Sequence, residues 1–182
     1  MSATTSVQET LPLEGANPCY FLVMYEDAVT HDLAMEVCGG IVSRFGTELT
    51  FAFSFWKVKD LQDPASAHWA AEAVARADII LFSLPGRDLA PETSHWLDAC
   101  VTARTKTEGA LALAIAGVSG AGLAVEALLS RLQYAAHRLR MDFLPLLPRT
   151  YSPTSGSLAN SSLALLSHAP EDPGSNHWGL NE

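Results

Sequence analysis

The stretch Ala77–Asp88, ADIILFSLPGRD, constrains this chain most. Ile79 to Phe82 is unbroken apolar sequence, Ser83 extends it, and Leu84-Pro85-Gly86 stops it. A short apolar run ended by turn residues predicts a strand buried on both faces. Amphipathic patterns flank it on both sides. Together they predict the central strand of a parallel sheet, with its C-terminal end at any active edge.

The other elements follow in order. Cys19–Tyr25 is nearly all apolar and predicts a first, central strand that ends in Glu26-Asp27. Thr30 can cap the next helix. Leu33, Val37, Ile41 and Phe45 recur every four residues, with Ala34 and Cys38 beside them, and give that helix an apolar face. Gly39-Gly40 costs about 1 kcal/mol per glycine there, and close approach to a strand would account for the pair. Gly46 suits the C′ position. Leu49, Phe51, Phe53 and Phe55 alternate with more polar neighbours, the mark of an edge strand with one covered face.

Asp63-Pro64 reads as an N-cap followed by proline at N1. Trp69, Ala70, Ala73, Val74 and Ala77 form the inward face of the helix it starts. A third helix starts at Pro91, with Trp96, Cys100 and Ala103 on one stripe. Ala110–Ala116 is a fourth buried strand, and Gly117–Gly122 a glycine-rich turn. A long helix follows, with Val125, Leu128, Leu129, Leu132, Ala135, Ala136 and Leu139 inward. Met141–Leu147 is the fifth strand, and Pro145 assigns it to the opposite edge.

Five strands alternating with four helices predict an α/β fold with a parallel sheet. Right-handed crossovers and the two edge signals select the order 2-1-3-4-5, a flavodoxin-like three-layer sandwich. The 182 residues suit one such domain. It spans 19–148, after a polar, poorly ordered arm at 1–18. A tail rich in Ser, Pro and Gly follows at 149–182, with a short helix possible at 157–168.

A formal net charge of −9 disfavours nucleic acid outside a local basic patch. The best patch is Arg131, His137, Arg138 and Arg140, which reads more simply as cations at a helix C-terminus. No apolar run is long enough to span a membrane. The N-terminus lacks the pattern of a signal peptide, and the cysteines lack metal-ligand spacing. A cytoplasmic location is the default expectation. The expected partner is another protein or a second copy, with a small anionic ligand as a further candidate.

In this topology the ligand crevice lies at the C-terminal ends of the first and third strands. The first brings Glu26, Asp27 and His31, and the third brings Ser83, Arg87 and Asp88. The turn after the fourth strand brings Gly117, Ser119 and Gly120. Glu26 and Asp27 are the candidate metal ligands, for Mg²⁺, which takes one or two carboxylates and keeps its waters. They are also ordinary residues for a loop after a strand. The amides of 117–122 open a helix and can hold an anion, but the Lys-Ser/Thr pair of a P-loop is missing. FMN is not expected, because the turn after the first strand has two acids and no glycine. No cofactor is required by any motif. Ser83 lacks the G-x-S-x-G elbow of a nucleophilic serine.

The element order and these short motifs resemble a response-regulator receiver domain. Glu26-Asp27 is similar to that family's Mg²⁺-binding acidic pair. Asp78–Ser83 with Pro85-Gly86 is similar to its third strand, but Ser83 stands where the family has its phosphoacceptor aspartate. Ala116 stands at the family's hydroxyl position, and Leu147 stands at the lysine before a proline. The resemblance therefore implies a pseudo-receiver that cannot be phosphorylated, acting as a regulatory or protein-interaction module rather than an enzyme. Two rival readings stand beside it. One is a small-molecule or phosphate-ester enzyme with an acidic site at this crevice. The other is a structural homo-oligomer.

Overall fold

The computed structural model describes residues 17–117 and 122–146. The sequence-predicted helix at 157–168, most of the N-terminal arm, and Ser119 and Gly120 lie outside the described residues. Five strands form one parallel sheet: β1 (Cys19–Tyr25), β2 (Phe51–Lys57), β3 (Ile79–Pro85), β4 (Ala110–Ala116) and β5 (Asp142–Leu146). Their order is β2-β1-β3-β4-β5, as the edge signals predicted. The four helices are α1 (Ala28–Phe45), α2 (Pro64–Arg76), α3 (Pro91–Ala103) and α4 (Leu123–Arg138). This is the flavodoxin-like α/β arrangement.

Strand parity sorts the two layers. Leu22, Met24, Ile80, Phe82, Leu111 and Leu113 face α2, α3 and α4 and make the larger core. Val23, Leu81, Ala112 and Ala114 face α1, against Ala34 and Cys38. Each fully buried Leu, Ile or Phe contributes about 1.5–3 kcal/mol, so the central strands supply most of the cohesion. Burial pushes the Cys38 thiol up to about 11 and that of Cys100 up to about 12. Both behave as small core residues.

Several expectations need correction. Trp69 is 59% exposed rather than inward; Trp96, whose indole N–H donates to the Ala67 carbonyl, fills the space between α2 and α3 instead. Gly39 and Gly40 face open space, so close approach to a strand does not explain them. The N-cap of α1 is Asp27, with Thr30 as the third helical residue. Gly46 keeps a right-handed φ of −66°, so it is no left-handed stop. A Cβ at Gly46 would lie 2.6 Å from the Val42 carbonyl oxygen, and that crowding is what glycine relieves. A 3₁₀ turn at Val58–Gln62 between β2 and α2 had no clear sequence signal.

One buried cation closes the N-terminal end of the sheet. Arg104 follows α3 and is only 9% exposed. Its Nη1 donates to the carbonyls of Val74 and Ala77 at 2.9 and 2.8 Å. Nε donates to Leu139 at 3.2 Å, and Nη2 to Glu108 at 2.7 Å. Gly109 beside it has φ +138°, and an added Cβ would lie 2.5 Å from the Asp78 carbonyl oxygen. Only glycine suits that backbone. Replacing Arg104 by methionine strands these carbonyls at about 1–3 kcal/mol each where they stay dry. Urea unfolding of Arg104→Met should therefore show a loss of at least ~3 kcal/mol.

Candidate functional site

The C-terminal ends of β1 and β3 do bring the predicted residues close, but most are already engaged. Ser83 pairs with Tyr25 in the β1–β3 register and is fully buried. Its hydroxyl donates to the Thr30 carbonyl at 2.6 Å, which ties β3 to the first turn of α1. The hydroxyl is turned under the helix rather than into the crevice.

Asp27 carries the α1 cap. Its Oδ1 accepts from the Thr30 N–H and hydroxyl, both at 2.9 Å. In return the Thr30 oxygen accepts the Asp27 and Glu26 N–H groups at 2.8 and 2.9 Å. This reciprocal box satisfies donors that a helix start leaves orphaned. The Thr30 backbone hydrogen bond is the main reason the Asp27 carboxyl lies below its ordinary value.

Glu26 points the other way and pairs with Arg87. Each acid of the pair thus has its own partner. Among the described residues no group of three or more His, Cys, Asp or Glu side chains could hold a metal ion. Two carboxylates committed to a guanidinium and a helix cap do not fit a resident Mg²⁺.

His31 stacks edge-on against Tyr25, with ring centroids 4.8 Å apart, and lies 5.9 Å from Phe55. Its Nδ1 is 3.6 Å from an Asp32 oxygen. His31 caps an aromatic row of Phe51, Phe53 and Phe55 along the edge strand. Asp88 makes two 2.9 Å bonds with Arg131 of α4 and accepts the Leu89 N–H at 2.8 Å. Arg138 pairs with Asp98. Two cations of the basic patch therefore bind acids of this same chain. Gly117 ends β4 in the left-handed region at φ +69°.

A cleft of about 420 Å³ opens beside these residues, on the α2–α3 side. Glu26, Arg87 and Asp88 line one wall, and Lys59, Leu61 and Gln62 of the 3₁₀ turn line another. The third wall is the start of α3, with Ala90, Glu92 and Thr93. His31, Ser83 and Gly117 do not line it. Sequence reasoning missed the α3 wall because Pro91 reads only as a helix start. The useful signal was Ala90, which has no side chain to cap the amides that follow.

The chain is thus an α/β domain of flavodoxin-like topology with a charged, self-paired crevice. No family model matches it, and no curated protein matches it. Among solved structures, a flavodoxin-like domain of a Synechococcus sp. protein is similar, at 17% identity and a TM-score of 0.45. The match covers 74% of this chain and 85% of that one. Among the described residues no helix is long and apolar enough to cross a membrane.

Acid should weaken this fold through its caps. The carboxyls of Asp27 and Asp63 both lie below the ordinary 3.8, each held chiefly by a backbone N–H of its helix. A depressed carboxylate contributes stability above its unfolded value and loses it as pH falls through the folded value. Stability should therefore drop as pH falls below about 3.8. Asp27→Asn keeps a capping oxygen without the titration, so its stability-against-pH curve, from urea melts, should be flatter on the acid side.

Proposed function

We propose that this chain is a receiver-like regulatory or protein-interaction module that does not accept a phosphoryl group. The observation that carries this reading is Ser83. At the position similar to a phosphoacceptor stands a buried hydroxyl already donating to the Thr30 carbonyl. An in-line transfer needs an exposed nucleophile and room for the departing group. Ser83 offers neither.

The neighbouring charges support the same reading. Phosphoryl transfer is catalysed mainly by positioning and by cations at the transferred group. Here Glu26 is tied to Arg87, and Asp27 caps α1. A module that works by surface recognition needs a rigid scaffold and no activated base. Loops on such a scaffold carry recognition residues.

Incubation with acetyl phosphate and Mg²⁺, read by intact mass, tests this directly. The expected spectrum is unchanged, for wild type and for Ser83→Ala alike. A phosphoryl adduct on Ser83 or on any carboxylate overturns the reading. Ser83→Ala should also cost about 0.5–1.5 kcal/mol in unfolding free energy through its lost hydrogen bond.

A further inference from the structure

The start of α3 lines the cleft without a side-chain cap. Helix N-termini leave N–H donors without intrahelical acceptors. Asp27 and Asp63 supply side-chain caps for α1 and α2. Ala90 supplies none for α3, whose 13 residues begin with Pro91. Among the described residues no acceptor outside the helix takes the N–H of Glu92 or Thr93.

Thr93 is the second observation. It is 2% exposed and lines the cleft. Its hydroxyl has no hydrogen-bond partner among the described residues. Among the described residues no fully enclosed side-chain N or O lacks a partner, so this hydroxyl keeps some exposed surface, and its residue lines the cleft. The hydroxyl of a nearly buried residue, two uncapped amides and the positive end of a helix dipole therefore belong to one wall. Buried polar groups are normally paired, and an anion pairs all three donors at once.

The facing walls add charge and shape. Lys59 lines the same cleft with no acid partner among the described residues, as does the Glu92 carboxylate with no cation partner there. Arg87 lines it as well, balanced by Glu26. Asp88 is neutralised by Arg131. Leu61, Leu84 and Leu89 provide an apolar floor.

We infer that this cleft binds the phosphate group of a small organic phosphate, held by the Glu92 and Thr93 amides and the Thr93 hydroxyl. Lys59 and Arg87 supply the charge, and the leucine floor takes the organic part. The site differs from the 117–122 turn and does not rest on the receiver-like reading. It binds without transfer, so acetyl phosphate labelling and ligand titration fail independently.

Titration of the full-length ¹⁵N-labelled protein with inorganic phosphate and with phenyl phosphate tests it. The Glu92 and Thr93 amides should shift and saturate. Phenyl phosphate should bind about tenfold tighter, from burial of its ring. Thr93→Val should weaken binding about tenfold, the worth of one hydrogen bond to a charged group. Lys59→Ala should weaken it about threefold. Glu26→Gln should tighten binding, because it frees Arg87. Amides that do not move, shifts that do not saturate, or equal affinity for both phosphates overturn the proposal. Should Thr93→Val fail to fold, the opposite signs of Lys59→Ala and Glu26→Gln decide, and equal signs or no effect overturn it.

Discussion

Arg104 is the contact on which the lower half of this molecule depends. Helix C-termini carry partial negative charge and orphan carbonyls. Here Ala77 is the C-cap of α2, Leu139 that of α4, and Arg104 itself that of α3. One guanidinium reaches carbonyls of both other helices and of the loop before β4. Burial pushes its pKa down, and Asp78 opposes that shift. An arginine stays charged across any working pH, so the clamp does not titrate. A lysine has three donors and no planar fork, and could not serve four carbonyls spread over three segments.

The same end of the sheet is pinned by Asp78. Burial raises its pKa, but the hydrogen bonds from Lys106 and from the Tyr20 N–H outweigh that and hold the carboxyl below its ordinary value. Its backbone N–H donates to Tyr20 O, and its carbonyl accepts from Ala110 N. Asp78 thus aligns the starts of β1, β3 and β4. At the opposite end the Ser83–Thr30 bond and the α1 cap are flanked by surface charge pairs, Glu26 with Arg87 and Asp88 with Arg131. Exposed pairs of that kind contribute little to stability. Cohesion comes from the central strands and the Arg104 clamp, and the exposed charge pairs at the C-terminal end add little to it.

The fold was legible because its signals are long and redundant. Ile79–Phe82, Cys19–Met24 and Ala110–Ala116 are apolar runs that only a sheet buried on both faces accommodates, and Pro145 and the Phe51–Phe55 alternation marked the edges. The site was less legible because it turns on single side-chain directions. Sequence placed Ser83, Asp27 and Glu26 at the crevice. It could not say that Ser83 lies on the parity that faces α1, or that Asp27 would serve its own helix while Glu26 turned away. Trp69 shows the same limit: the helical pattern allowed it an inward place, and packing left it exposed while Trp96 is buried. Arg104 was invisible because an arginine after a helix is ordinary, and its acceptors lie 27 to 35 residues away except Glu108.

The position of α1 follows from residue size as much as from polarity. β4 presents Ala110, Ala112, Ala114 and Ala116 on the α1 side, where β2 presents three phenylalanines. Small side chains let a helix approach closely, and α1 accordingly lies across β3 and β4 rather than over β2. The hydrogen bond from Ser83 to Thr30 fixes its first turn over β3. That placement leaves the phenylalanine row only partly covered, with Phe55 37% exposed. It leaves the glycine pair without a packing role. With alanines in the strand giving the close approach, α1 needs no glycine on its inner face, and Gly39 and Gly40 lie on the outer one. The same alanines and the Ser83 bond that seat the helix turn the β3 hydroxyl away from the cleft. The packing of α1 and the burial of the Ser83 hydroxyl are therefore one structural fact.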